Sequence, residues 1–344
     1  MLENLDENSS FLFKQREMLG LEPKLPHVYH EKYSKEMIDV YKDLFYYHNP
    51  IPQDKIKIIY QILQEFHVLL EIFSPLYKIG LDIEIYLIGG SLRDLLLNKP
   101  IKDLDILLTI TNQSVEEIFE KKQYKKYFLT FFSEDEKEKL QIENISNMSL
   151  FFYVVHKFVE KKLNIEKIYH ISKEKKKAIF NSYGDIILNE KLDGVIKANS
   201  HQLEYPIDIL FTEKTALQYV KEVFDFNICR VYMPIIAPKK EKYIPTNSFD
   251  FMNNISVDFY FLKDVLNKTT TLYLPVYNNT ASIENSLQKH YPRIQEKYPE
   301  YSLYLEPGDN QEFKKWKMVF FAKKLYQELK EKVTFQSNKK TLKI

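Results

Sequence analysis

The chain has 344 residues, of which 44% are apolar and 28% are charged, a balance typical of a folded protein of about two domains rather than a disordered one. Its formal charge of +1 gives no global attraction to nucleic acid, so a site for a polyanion has to be a local patch. A single cysteine, Cys229, excludes an internal disulfide and a multi-cysteine metal site.

The first ten residues are acidic and polar, and they lack the basic start and apolar core of a signal peptide. No apolar run approaches the roughly 20 residues that are needed to span a bilayer. We therefore expect a cytoplasmic location and no membrane partner.

The first predicted elements flank a glycine pair. Residues 1–50 are interpreted as an N-terminal extension of mostly helical character. Apolar residues then recur at helical spacing from Lys55 to Phe73, which predicts an amphipathic helix packed on a sheet, with Pro75 just past its end. The short β-branched run Ile83–Ile88 predicts a strand that ends at the glycines.

The elements after the glycine pair are a helix from Ser91 through Leu97, stopped by Pro100, and a strand over Leu104–Ile110. Residues 111–200 alternate lysine-rich pieces with a long apolar piece and are predicted to form a largely helical insertion. A third strand over Ile207–Phe211 and a helix over Thr215–Val223 follow it.

Residues 234–248 contain three prolines and a charge cluster, which is typical of a linker. The pattern predicts one domain over residues 51–233 that includes the insertion. It also predicts a partly helical C-terminal region over residues 249–344, with a helix from residue 311 to about residue 332.

The chemistry-bearing stretch reads IYLIGGSLRDLLLNKPIKDLDILL, from Ile85 to Leu108. Side chains alternate faces along a strand, so Asp103 and Asp105 project to the same side. Two carboxylates that close repel each other unless a cation lies between them. Mg²⁺ suits that arrangement, because it binds one or two carboxylates and completes its shell with water and phosphate oxygens.

The glycine pair predicts a binding site for an anion. Gly89 and Gly90 allow the backbone to approach a phosphate closely, and the helix that begins near Ser91 presents free N–H groups. Carboxylates for a metal that face a phosphate-sized cradle are the arrangement that nucleotidyl transfer requires.

The same stretch, with Arg93 and Asp94 at the expected offset, resembles the nucleotidyltransferases of the DNA polymerase β superfamily. Within that superfamily it is similar to the bacterial poly(A) polymerase and CCA-adding tRNA nucleotidyltransferase group, which carries GGxxRDxLL, a short proline-containing gap and DxD. The resemblance implies a mixed α+β fold, with a small mixed sheet flanked by helices as the head domain.

The resemblance also implies a third carboxylate from a neighbouring strand. Asp208, which heads an apolar strand, is the candidate we prefer, and Asp185, Glu190 and Asp193 are its rivals. Asp103 and Asp105 would then ligate both metals, Mg²⁺ or Mn²⁺, and Asp208 would bind the metal that activates the attacking hydroxyl.

The remaining site residues are also implied by the resemblance. The backbone at Gly89, Gly90 and Ser91 would hold the triphosphate of an NTP such as ATP. Arg93 would pair with a phosphate or with a structural carboxylate, and Asp94 would orient the loop.

Three departures from the family pattern stand out. The stretch FDFNICRVYM is similar to the family's RRDFTINAM, but Val223 and Phe224 replace the two arginines that handle nucleotide or primer, and Arg230 is the nearest substitute. About 100 residues separate Asp105 from Asp208, which is more than in the tRNA enzymes. The base-selecting pattern EDxxRxxR is absent, which disfavours CCA addition specifically.

The sequence thus predicts a template-independent nucleotidyltransferase that adds a nucleoside monophosphate to an RNA 3′-hydroxyl. Two alternatives stay open: nucleotidylation of a protein hydroxyl, and an inactive RNA-binding scaffold of the same fold. Four lysine-rich runs offer either an RNA track or, more simply, solvated helix faces; they lie at 121–126, 161–167, 173–177 and 239–242.

Overall fold

The computed structural model describes the chain with several gaps. The described residues are 53–78, 83–110, 112–121, 126–127, 129–130, 133–135, 147–172, 177–181, 194–199, 204–236, 251, 254–273, 283 and 286–306. The predictions for residues 1–50, for the C-terminal helix and for most of the linker lie outside them.

The described residues form two compact units. The first unit comprises those up to Phe224 together with residues 228–266, and the second comprises residues 225–227 and those from 267 onward. The domain boundaries expected from the sequence stay a prediction.

The first unit is built around a sheet with helices on both faces. Its helices are α1 (Gln53–Lys78), α2 (Gly90–Leu96), α3 (Asn112–Phe119), α4 (Asn147–Glu160), α5 (Ala216–Val223) and α6 (Phe259–Asn267), with a 3-10 turn at Asn227–Cys229. Its strands are β1 (Glu84–Ile88), β2 (Leu104–Thr109), β3 (Asn164–Ser172), β4 (Lys177–Asn181), β5 (Gly194–Asn199), β6 (Ile207–Thr212), β7 (Val231–Ile236) and β8 (Ser256–Val257).

These eight strands pair in the order β4-β3-β5-β6-β2-β1-β7-β8. Neighbouring strands are antiparallel except β2 and β6, which run parallel. The mixed α+β fold class is therefore confirmed, and the strands predicted around the glycine pair and before α5 agree with the structure within two residues.

Side-chain alternation gives the sheet two buried faces. On one face, Phe152 of α4 packs against Phe211 of β6 with ring centroids 4.8 Å apart. On the other face, Tyr219 and Val220 of α5 pack over Ile88 and Leu107. The strands buried on both faces read as nearly continuous apolar runs, which is why the sequence revealed them.

The prediction of a largely helical insertion over residues 111–200 is wrong for its second half. Residues 164–172, 177–181 and 194–199 are strands that extend the central sheet beyond β6. The lysines of these segments occupy sheet positions, and Lys167 of β3 lies opposite Lys197 of β5. Lysine is depleted in strands, so the composition does not indicate the sheet, although β3 pairs with β4 and β5 pairs with β6 as consecutive strands.

Two other findings concern the helices. Helix α1 continues past Pro75 to Lys78, so the proline does not end it as expected. Among the described residues, none of the helices combines the length and the apolar character that crossing a bilayer requires.

The second unit contains a parallel pair of strands, β9 (Thr269–Tyr273) and β10 (Ser302–Glu306), a π-helical turn at Ser286–His290 and helix α7 (Tyr291–Lys297). Phe226, from the short stretch 225–227, forms a bridge with Leu272 and lies 6.2 Å from the ring of Tyr291. That stretch is therefore part of the core of this unit.

Candidate active site

Three acidic side chains lie near the centre of the sheet, and we call Asp103, Asp105 and Asp208 the acidic row. Asp105 of β2 and Asp208 of β6 are register partners in the one parallel pair among the described strands of this sheet. Adjacent strands lie about 4.8 Å apart, and register partners project from the same face, so the two carboxylates are neighbours. The acid that we preferred as the third carboxylate therefore lies beside the Asp-Leu-Asp pair.

Asp103 lies just before β2 and completes the group. It is half-buried, and its charge acts on both Asp105 and Asp208. The structure thus brings together all three acids that the sequence singled out. Their catalytic and metal-binding roles stay predictions.

The electrostatics of the row disfavour full ionisation. Burial raises the pKa of Asp105 well above its usual value, and repulsion from Asp103 and Asp208 adds to the effect. Burial also raises the pKa of Asp208, although Lys197 opposes the shift. Bringing the three negative charges together therefore costs free energy that a bound cation would recover.

Lys197 of β5 is the neighbouring positive charge. It is the register partner of Asp208, and its Nζ lies 3.3 Å from Asp208 Oδ1. Asp208 Oδ1 is buried, and this ion pair with Lys197 is the contact that opposes the effect of burial on its charge. One face of three adjacent strands thus carries Lys197, Asp208 and Asp105 in a line.

The glycine turn follows β1, whose last residue, Ile88, is the register partner of Asp105. Gly89 has φ of 71°, in the region that favours glycine, and its N–H donates to Val231 O at 2.9 Å. A Cβ at Gly89 would lie 2.8 Å from Phe224 Cζ. The first glycine is therefore required by backbone conformation and by an aromatic ring that packs against it.

Gly90 and Ser91 begin α2. The Arg93 N–H donates to Gly89 O at 3.1 Å, which is the first backbone hydrogen bond of the helix. The N–H groups of the first turn have no carbonyl within the helix to bind, so those of Gly90 and Ser91 are the ones suited to a phosphate. Ser91 is buried, and its hydroxyl is 3.5 Å from Ile88 O.

Arg93 and Asp94 are buried partners of each other. The guanidinium binds Asp94 Oδ1 through Nε at 2.7 Å and Nη2 at 2.6 Å, and Nη1 donates to Cys229 Sγ at 3.0 Å. Of the two pairings that the sequence left open for Arg93, the structure contains the one with a carboxylate. The nucleotide-binding role predicted for Gly89, Gly90, Ser91, Arg93 and Asp94 stays a prediction.

The residues of the FDFNICR stretch serve packing in both units. Arg230 is buried and donates to Lys221 O in the last turn of α5, with its guanidinium 6.0 Å from the centre of the Tyr260 ring. Within the second unit, Asp225 Oδ2 lies 2.7 Å from His290 Nδ1. The buried cation of Arg230 thus stabilises a helix end and does not replace the two arginines missing before Asp225.

The three acids fit a hard divalent cation by their chemistry. Carboxylate oxygens are the ligands that Mg²⁺ prefers, and a carboxylate has about four lone-pair sites, so Asp208 can pair with Lys197 and still bind a cation. Within the described ranges, no group of three or more His, Cys, Asp or Glu side chains is already arranged to hold a metal ion.

A family model matches the part of the chain that contains the glycine turn and the Asp-Leu-Asp pair. Residues 85–173, about a quarter of the chain, match the family model of the poly A polymerase head domain. This segment contains the glycine turn, α2 and β2 with Asp103 and Asp105.

Residues 85–173 resemble a poly A polymerase head domain. No curated protein matches the chain. The solved structures that are similar to it include a Thermotoga maritima CCA-adding enzyme complexed with tRNA, at 14% identity and a TM-score of 0.36, with 80% of this chain and 44% of that chain covered. A CCA-adding enzyme in an apo form matches at 13% identity and a TM-score of 0.36, with coverages of 76% and 44%. The chain thus spans less than half the length of these proteins.

Two residues of the candidate site were not found from the sequence. Lys197 lies in the segment interpreted as helical, and only the strand pattern GVIKAN could have placed it on the face of Asp208. Phe224 was noted as a replacement for an arginine of the family pattern, but its contact with Gly89 was not, because it joins positions far apart in the chain.

The Gly89 contact can be tested by adding a single methyl group. We expect Gly89→Ala to lower the free energy of unfolding by about 1 to 3 kcal/mol, because it combines a strained φ with a clash against Phe224. Gly90→Ala is the matched control, since its Cβ would make only an ordinary 3.6 Å contact with Arg93. Chemical denaturation measures both, and equal effects would contradict the assignment.

The repulsion within the acidic row predicts a pH dependence of stability. A raised pKa means that the folded protein holds the Asp105 proton more tightly than the unfolded chain, so this contribution to stability is lost as pH rises above about 4. Asp105→Asn should remove part of that loss, on the order of 1 kcal/mol for each unit of pKa shift. Unfolding of the metal-free protein at several pH values measures it.

Glu120→Gln, an exposed change at the end of α3, is the control for this measurement. If the unfolding free energy of Asp105→Asn has the same pH dependence as that of the parent and this control, Asp105 does not cause the loss of stability.

Proposed function

We propose that the chain is a template-independent nucleotidyltransferase that transfers a nucleoside monophosphate from an NTP to the 3′-hydroxyl of an RNA. The observation that carries the proposal is the register pairing of Asp105 with Asp208 next to Asp103, in a segment that resembles the poly A polymerase head. A nucleotide-transferring head domain needs such carboxylates beside a phosphate cradle, and the turn at Gly89 begins one residue after the partner of Asp105.

The reaction makes one bond and breaks one. The 3′-oxygen of the acceptor attacks the α-phosphorus, the bond from this phosphorus to the bridging oxygen breaks, and pyrophosphate leaves. We assign the hydroxyl proton to the Asp208 carboxylate, because it lies in the acidic row beside Asp105 and next to Lys197.

Asp103, Asp105 and Asp208 are the residues that would hold Mg²⁺, or Mn²⁺ in its place. Bound there, the cation would neutralise the triphosphate and favour ionisation of the attacking hydroxyl. We assign the donors for the triphosphate to the Gly90 and Ser91 amides, which belong to the open first turn of α2.

We assign the RNA acceptor strand to the side of the acidic row on which Lys197 and Lys167 lie. Lys197 lies 3.3 Å from Asp208, and the exposed Lys167 is its register partner on β3. Two cations side by side at the edge of the acidic row suit a phosphodiester backbone, which attracts lysine regardless of sequence. ATP is the first nucleotide to test, in keeping with the poly A polymerase head that residues 85–173 match.

Incorporation of labelled nucleotide tests the proposal. The protein is incubated with each labelled NTP, Mg²⁺ and mixed RNA, and the parent should extend RNA. Asp105→Ala and Asp208→Ala should each lower the rate by about 100-fold or more, because each removes a metal ligand.

Glu222→Gln is the matched control, since Glu222 is an acid on α5 that pairs with Lys214 away from the row. Label recovered in protein instead of RNA would show nucleotidylation of a protein hydroxyl. Full activity in the Asp105→Ala variant, or none in the parent, would overturn the proposed function.

A further inference from the structure

A buried acid on α1 lies outside the site but is connected to it. Glu65 is 2% exposed and lies in the helix between the fully buried side chains of Ile62 and Phe66 and the nearly buried Leu69. A carboxylate in such a position costs free energy unless hydrogen bonds compensate for the lost water. Its contacts therefore indicate what the acid does.

Glu65 holds the chain at the entry to β6. Its Oε1 accepts hydrogen bonds from two consecutive amides, Glu204 N–H at 3.0 Å and Tyr205 N–H at 3.1 Å. The next residue, Pro206, has no N–H of its own, so the strand entry cannot be fixed by a donor at that position. Glu65 instead binds the amides of the two preceding residues, Glu204 and Tyr205.

The same short segment fixes the start of β2. Pro206 O accepts the hydrogen bond from Leu104 N–H at 2.9 Å, which is the first bond between the two parallel strands. Leu104 lies between Asp103 and Asp105, and Asp208 lies two residues beyond Pro206. A displacement of residues 204–206 would therefore move all three acids relative to one another.

We propose that Glu65 is a positioning residue, which clamps the entry of β6 so that Asp208 stays in register with Asp105 at a separation that a divalent cation can bridge. This proposal rests on the proposed function, because that function requires the bound cation. The clamp itself is present in the metal-free fold. Glu65 touches neither the metal nor the substrate.

Ionisation of Glu65 sets the strength of the clamp. Burial raises the pKa of Glu65 to about 7, with the Tyr205 and Glu204 amides opposing the shift and the Glu204 charge adding to it. Glu204 and Tyr205 are the ionisable groups that act on it among the described residues. The folded protein holds this proton more tightly than the unfolded chain, so stability is lost as pH rises from 4.5 towards 7. An opening that releases the carboxylate to water has the same dependence, so the clamp opens more easily above pH 7.

The test compares three variants of the full chain. Glu65→Leu removes the acceptor but keeps an apolar side chain, Glu65→Gln keeps a carbonyl acceptor without charge, and Glu71→Leu changes an exposed acid of the same helix. Two quantities are measured without nucleotide: the protection factors of the Leu104, Glu204 and Tyr205 amides by hydrogen exchange, and the dissociation constant of Mn²⁺ by electron paramagnetic resonance.

We expect Glu65→Leu to lower the three protection factors by about 10-fold or more and to weaken Mn²⁺ binding by about 10-fold, as outer residues of metal sites do. Glu65→Gln should match the parent at about pH 5 and exceed it in protection and Mn²⁺ affinity at about pH 9, because glutamine mimics the protonated acid that the folded protein prefers. Glu71→Leu should match the parent at both pH values.

A folded Glu65→Leu variant with parental Mn²⁺ affinity would overturn the proposal and leave Glu65 as a structural acid. If this variant does not fold, the comparison of Glu65→Gln with the parent at high pH decides, and equal Mn²⁺ affinities overturn the proposal. A parent that binds no Mn²⁺ also overturns it. If the parent binds Mn²⁺ and Glu65→Leu weakens that binding, but the parent incorporates no nucleotide, the clamp is supported and only the proposed function is refuted.

Discussion

The parallel pairing of β2 with β6 is the constraint on which the site depends. It places Asp105 opposite Asp208 and leaves Asp103 at the same end of β2. Parallel neighbours cannot be joined by a tight hairpin, so the roughly 100 residues between these acids form the connection, and part of them returns as strands of the same sheet. This long connection contains Lys197, which comes to lie beside Asp208.

The acidic row is held together against its own repulsion. Burial and mutual charge raise the pKa values of Asp105 and Asp208, so the arrangement has to be stabilised from outside. The apolar packing of both sheet faces supplies most of that free energy, and Lys197 compensates part of the charge. A protein without use for three adjacent carboxylates would gain stability by losing one, which favours a catalytic role over an inactive scaffold.

The sequence was informative wherever the signal is local. The glycine turn, α2 and the Asp-Leu-Asp strand follow one another within 25 residues, and their order, bounds and shared face were all predictable. Asp208 was predictable as an acid that heads an apolar strand, but its register with Asp105 is a long-range fact. Strands β3 to β5 were missed because each of them carries lysine, which is depleted in strands, and Glu65 was missed because helix periodicity marks its position without revealing its partners.

The departures from the family pattern fall on one side of the site. The acids, the glycine turn and the Arg93–Asp94 pair are retained, whereas Val223 and Phe224 stand where the family has the arginines that handle nucleotide or primer. Phe224 packs its ring on Gly89, and an arginine at this position would lose that ring contact. Arg230 does not restore the lost charge, because it is buried at the end of α5. The carboxylate part of the sequence pattern is therefore retained and the two arginines are not, so under the proposed function nucleotide choice would rest on contacts other than those two arginines.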